Sequence, residues 1–287
     1  MPTTYAHWRF GDKCISTLTP ELRNLVERNL DIFNFGVHGP DIYFYYNCLK
    51  KNDVNRFGSK LHDIPFGETL KQIKPRYDRC VDKEAAIAYL LGFTCHFTLD
   101  SYCHGYIERK EEVSGISHGK LESQLDRYFL LKDGYDPVKT SVTFSLRPAR
   151  WIADVIAFIF PEWDEKQTLK TLRDMRMYLD LLKDNSDIKR GFLVWAMDRF
   201  KVPAFKDLLI TKHNHPEARD AMLRLDKLFE NALEHYPTLA ASLVDFLEDG
   251  EVLDPYFSNH FCPKPDYKEI PVLPLDEERK YRTYLQD

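Results

Sequence analysis

His96, Asp100 and His104 follow one another at four-residue intervals in the stretch EAAIAYLLGFTCHFTLDSYCHGYIERK. His118 and Glu122 repeat the interval just beyond it, in SGISHGKLESQLDRYF. Residues four apart on a helix lie one above the other on nearly the same face. The first three therefore form one stripe and the last two a shorter one. Two such helices packed side by side would aim five imidazole and carboxylate groups into one space. Those donors are what zinc accepts when no thiolate is offered. A lone buried histidine is usually a hydrogen-bonded core residue. Burying His, Asp and His together on an apolar helix without a cation is costly, so the stripe reads as a metal site.

The remaining chain must position these groups. Its 287 residues are 44% hydrophobic and 14% aromatic, enough for one large domain, alone or with an appendage. The net charge of -5 is spread along the chain with no basic block, which argues against binding nucleic acid or an anionic membrane through charge. MPTTYAHWRFGDK shows neither an apolar core nor a cleavage pattern, so no signal peptide is expected. The most apolar later run, 151–160, contains Asp154 and is too short to span a bilayer. Six cysteines without a CxxC pair read as reduced thiols. Together these features predict a soluble, cytoplasmic protein with no transmembrane segment.

The pattern is mainly helical. PELRNLVERNLDIFNFG reads as a helix closed by Gly36, and Gly39-Pro40 then forces a turn that presents Asp41 ahead of Tyr43, Phe44, Tyr45 and Tyr46. Those rings could line a substrate groove or meet lipid, but core packing of alternate rings is the simpler expectation. His62 stands close to the start of a further helix. The second half predicts helices near 148–160, 164–183, 187–200, 216–235 and 238–248. Residues 137–146 are the best strand candidate. From Asp254 five prolines suggest an extended tail over the surface. The expected fold is all-α: a metal-binding core over 1–135, a helical remainder over 136–253 packed on the same domain, and a Pro-rich tail over 254–287. Taken singly, Asp41 is a turn residue, His62-Asp63 a surface polar pair and His7 a residue packed near the terminus.

Taken in order, His7, Asp41, His62, His96-x3-Asp100-x3-His104 and His118-x3-Glu122 resemble the zinc-dependent phospholipase C family. Its superfamily includes fungal zinc-dependent single-strand nucleases and the phospholipase D acting on glycosylphosphatidylinositol anchors. TYAHWRFG, HGPDIYFYY and LLGFTCHFTLDSYCHGY carry the likeness, which covers about the first 135 residues. The resemblance implies a helical domain that binds two or three zinc ions and hydrolyses phosphate esters. By motif, Asp41, His62, His96 and Asp100 would hold a first zinc, and His104, His118 and Glu122 a second. His7 would hold a third, bridged by Asp100. Secreted relatives complete that third site with a mature N-terminal residue, whereas this chain begins Met-Pro. After methionine removal the Pro2 amine is the candidate.

Clustered zinc ions lower the pKa of bound water toward about 7 and neutralise phosphate oxygens during in-line displacement. A metal-bound hydroxide would then be the nucleophile, with Asp41 or Glu122 orienting or deprotonating the attacking water; Asp41 is favoured because the turn fixes it beside the first metal. The expected partner is a small phosphate ester or phospholipid. Two other readings compete: a non-catalytic, zinc-stabilised scaffold, and an HD-type metal phosphohydrolase suggested by the adjacent His62-Asp63. The HD reading needs Asp63, whereas the phospholipase-like reading needs Asp100.

Overall fold

The computed structural model describes residues 4–183, 187–199, 204–207, 209–262 and 266–282. Among them are thirteen α-helices, four short 3-10 segments and no strand. The order begins α1 (Thr4–Thr17), α2 (Pro20–Arg28), α3 (Leu30–Gly36), the 3-10 segment Gly39–Tyr45, α4 (Asp53–Asp63) and α5 (Phe66–Tyr77). Then come α6 (Lys83–Ser114), α7 (His118–Lys132), α8 (Arg150–Ile159), α9 (Glu165–Leu182), α10 (Asp187–Arg199) and α11 (Ala204–Asp207). The chain closes with α12 (Arg219–Asp249), 3-10 turns at Pro255–Ser258 and Tyr267–Glu269, and α13 (Leu275–Glu278).

The axis of the molecule is α6. Asp82 caps its start by accepting from the Ala85 amide, and Gly115 ends it in the left-handed conformation at φ 73°. From Ala85 to Asp100 every residue is buried, as expected of a helix that is apolar all round and enclosed by others. The Thr94 and Thr98 hydroxyls stay satisfied there by donating to the carbonyls four residues back. α3 and α12 pack most extensively against α6, and α1 lies across α6, α7 and α12. Gly36 and Gly92 let α3 touch α6 backbone to backbone: a Cβ on Gly92 would stand 2.4 Å from the Phe33 carbonyl oxygen.

Several sequence expectations are corrected. The helix anticipated from Pro20 to Gly36 breaks at Asn29, whose side-chain amide donates to the Leu25 carbonyl and offers the backbone a local alternative. The helices expected at 216–235 and 238–248 are one, because Pro237 is carried inside α12. Buried Tyr236, Leu239, Ala240 and Leu243 flank the proline, so packing outweighs the lost hydrogen bond. Residues 137–146 form turns rather than a strand. Asp136 accepts from the Val138 and Lys139 amides, and Ser141 and Thr143 bond to each other and to Asp180. Phe200, at the end of the helix expected over 187–200, lies outside the described residues.

The expected surface tail also differs. Phe257 and Phe261 are fully buried, joining the main core beside Phe66, Phe93 and Phe97. Glu278 is buried as well, where it receives a two-point contact from Arg224 at 2.8 Å on each oxygen. Buried rings and the Arg224–Glu278 ion pair tie this segment down.

Candidate metal centre

Five elements converge on one space. α6 supplies His96, Asp100 and His104; α7 supplies His118 and Glu122; α1 supplies His7; and the 3-10 turn with α4 supplies Asp41 and His62. The left-handed Gly115 reverses the chain so that α7 returns against α6, which brings the two stripes together. Asp126 on α7 accepts from the amides of Thr4 and Ala6, fixing the first turn of α1 and with it His7. At the turn, a Cβ on Gly39 would stand 2.5 Å from the His96 ring, so only glycine lets Asp41 approach this closely.

All eight residues expected to be ligands meet here. His7 Nε2 is 3.2 Å from Asp100 Oδ1, and His96 Nε2 is 3.0 Å from Asp100 Oδ2. His62 Nε2 is 3.2 Å and His96 Nε2 3.6 Å from the two oxygens of Asp41. His104 Nε2 is 3.6 Å from both Asp100 and Glu122, and His118 Nε2 is 3.1 Å from Glu122. Two donors each about 2.1 Å from a tetrahedral zinc stand about 3.4 Å apart, which is the spacing of these pairs. Three groups result that could hold a metal ion: His7–His96–Asp100, Asp41–His62–His96 and His104–His118–Glu122. Asp100 touches histidines of all three.

The donor chemistry fits a cation. Every imidazole turns Nε2 inward. Behind them, His62 Nδ1 lies 2.8 Å from the Gly58 carbonyl, His104 Nδ1 2.8 Å from that of Phe261, and His118 Nδ1 3.5 Å from Glu108. Such partners fix the tautomer that leaves Nε2 as a donor to metal. His96 is fully buried and neither of its nitrogens has a hydrogen bond, although Nε2 lies within contact distance of two carboxylates. Burial opposes the ionised form of Asp100, yet His104, His96 and His7 hold its carboxyl well below the usual range. Asp41 and Glu122 are lowered in the same sense against burial, with His96 and His62 among the causes at Asp41 and His118 and His104 among those at Glu122. Burial lowers His96, whereas the adjacent carboxylates outweigh burial and raise His7, His62, His104 and His118. Three buried carboxylates thus favour the charged form of four imidazoles, a role that a divalent ion would take over.

Exposure is graded across the centre. The His96 side chain is 0% exposed, His104 and His62 are each 12%, and His118 is 24%. His118, on α7, is the most exposed of these histidines. Among the aromatic run, Tyr43 and Tyr45 are core residues, and Phe44 stacks on the His62 ring at 5.4 Å. Asp63 is exposed and joins none of the candidate groups among the described residues. Pro2 lies outside the described residues.

Three participants were not singled out from the sequence. Glu108 continues the four-residue stripe of α6 and forms a further group with Glu111 and His118, so its spacing was a readable signal. His38, in the HGPD turn, is fully buried with neither ring nitrogen partnered, and burial beside His7 and His96 pushes it down to about 3. Phe261 sits far along the chain and carries no local signal. All six cysteines are unpaired. No described helix is long and apolar enough to cross a membrane.

No curated protein and no solved structure matches the chain. A family model described as zinc dependent phospholipase C matches residues 6–197, beyond the first 135 residues that carried the resemblance and over more than half of the chain. The match covers all eight residues of the metal centre, and on that extent the chain belongs to the zinc-dependent phospholipase C family.

Proposed function

We propose that this protein hydrolyses phosphate diesters at a zinc centre, in the manner of a phospholipase C, on a phospholipid or small phosphate-ester substrate. The observation that carries the reading is the convergence of three donor groups on Asp100, with imidazole Nε2 atoms and carboxylates at spacings suited to zinc. His7, Asp41, His62, His96, Asp100, His104, His118 and Glu122 are the proposed ligands, for two or three ions. When bound, zinc lowers the pKa of coordinated water toward about 7 and neutralises charge developing on the phosphate.

The chain's own residues do the rest. Asp41 is proposed to orient the attacking water. Its carboxyl is held low by His96 and His62, so at neutral pH it accepts a hydrogen bond rather than storing a proton. Gly39 and Pro40 fix its position. Phe44 and Phe261 flank the His62 ring and restrict its motion. His118, the most exposed donor, is proposed to meet a substrate phosphate first.

Zinc-loaded protein assayed on an aryl phosphodiester and on phosphatidylcholine in mixed micelles tests the reading. Hydrolysis of at least one, abolished by chelation or by His118→Ala and restored to wild type by zinc, is expected. A fully zinc-loaded chain that turns over neither would overturn it in favour of a zinc-stabilised scaffold.

A further inference from the structure

The C-terminal segment after Asp254 lies outside the matched family span, yet it reaches the centre of the site. Asp254 caps the turn at Pro255–Ser258 by accepting from the Tyr256 amide, and the Asn259 carbonyl accepts from the Phe66 amide at 3.1 Å. Phe257 and Phe261 then drop into the core. The Phe261 ring packs against His62 and His96 with centroids 5.3 and 5.7 Å away, and against Phe66, Phe93 and Phe97 on its other sides. Its carbonyl lies 2.8 Å from His104 Nδ1, across 157 residues of sequence.

We infer that Phe261 is a positioning residue of the metal centre, joining the donor group around His62 and His96 to the one around His104. The inference rests on the zinc reading above. The carbonyl accepts the Nδ1 proton of His104 and so reserves Nε2 for a metal between Asp100 and Glu122. The ring holds the carbonyl in place, because its burial among three phenylalanines leaves the backbone no room to withdraw. His62 and His118 take their corresponding anchors from nearby in sequence, Gly58 and Glu108, whereas His104 depends on a remote segment. The last part of the chain therefore belongs to the site and is more than a cover over it.

The test compares Phe261→Ala with Phe257→Ala. Phe257 is equally buried in the same segment and packs on Phe66 and Phe97, without a ring contact to a histidine among the described residues. Zinc affinity is read by chelator competition on the full chain, and ligand geometry by the visible spectrum after cobalt substitution. Phe261→Ala should weaken at least one zinc by about 10- to 100-fold and change the cobalt spectrum, as loss of an outer-shell partner does. Phe257→Ala should leave both unaltered, and Phe261→Leu should recover most of the loss. Should the alanine variants fail to fold, Phe261→Leu against Phe257→Leu gives the same comparison on a smaller scale. Equal weakening by both positions, or none at Phe261 in a zinc-replete protein, would overturn this inference alone. A wild-type chain that takes up no zinc would overturn the functional reading and this inference together.

Discussion

Gly92→Ala is a substitution one turn before His96 that touches no proposed ligand, yet it should disassemble part of the centre. Its new Cβ would stand 2.4 Å from the Phe33 carbonyl oxygen and 2.9 Å from the Val37 amide nitrogen, both backbone atoms that no rotamer change can move. Restoring ordinary contact requires α3 to retreat by about 1 Å. The chain leaving α3 leads within five residues to Asp41, so the retreat acts on the 3.6 Å approach between Asp41 and His96. Helix propensity alone predicts that alanine stabilises by about 1 kcal/mol. Overpacking of this kind costs roughly 1–3 kcal/mol and should reverse that sign. At about 2–4 °C per kcal/mol for chains of this size, the metal-free protein should melt lower by a few degrees. Elemental analysis should show zinc lost from the Asp41–His62–His96 group, with the His104–His118–Glu122 group retained. Calorimetry in chelator reads the packing cost by itself. A variant with full zinc and an unchanged or raised melting temperature would refute the claim that the glycine contact sets the geometry.

Two further outcomes follow from contacts around the donors. Glu108→Ala should weaken one zinc by about 10- to 100-fold in chelator competition, through loss of the partner behind His118, with Glu108→Gln intermediate because its amide oxygen can still accept; equal affinities would remove Glu108 from the site. Asp126, buried on α7 between the Thr4 and Ala6 amides, is pushed up to about 7 by burial. A raised carboxyl favours the fold fully below its ordinary range and loses that contribution as pH rises through the folded value. Metal-free wild type should therefore lose stability relative to Asp126→Asn between about pH 4 and 7, measured by urea denaturation in chelator. Parallel profiles would contradict the assignment.

The sequence showed the centre where its geometry is local. Four-residue spacing on one helix needs no tertiary information, so His96, Asp100 and His104 were legible as a stripe and His118 with Glu122 as a second. Bringing His7, Asp41 and His62 to the same place rests on close helix contacts such as Gly36 on Gly92, which pattern alone does not reveal. The helix breaks went wrong for related reasons. Asn29 ends α2 through its own side chain, and Pro237 is tolerated inside α12 because its neighbours are buried against α6. Phe261 was unreadable because its partner histidine is 157 residues away and its proline-rich surroundings look like surface tail.

The central claim is that Asp100, in contact with His7, His96 and His104, ties these donors into one zinc centre. The most direct measurement is zinc per chain by elemental analysis on untagged protein, wild type beside Asp100→Ala. Two or three zinc ions in the wild type, falling by at least one in the variant, are expected. A single ion or none, with no effect of the substitution, would contradict it.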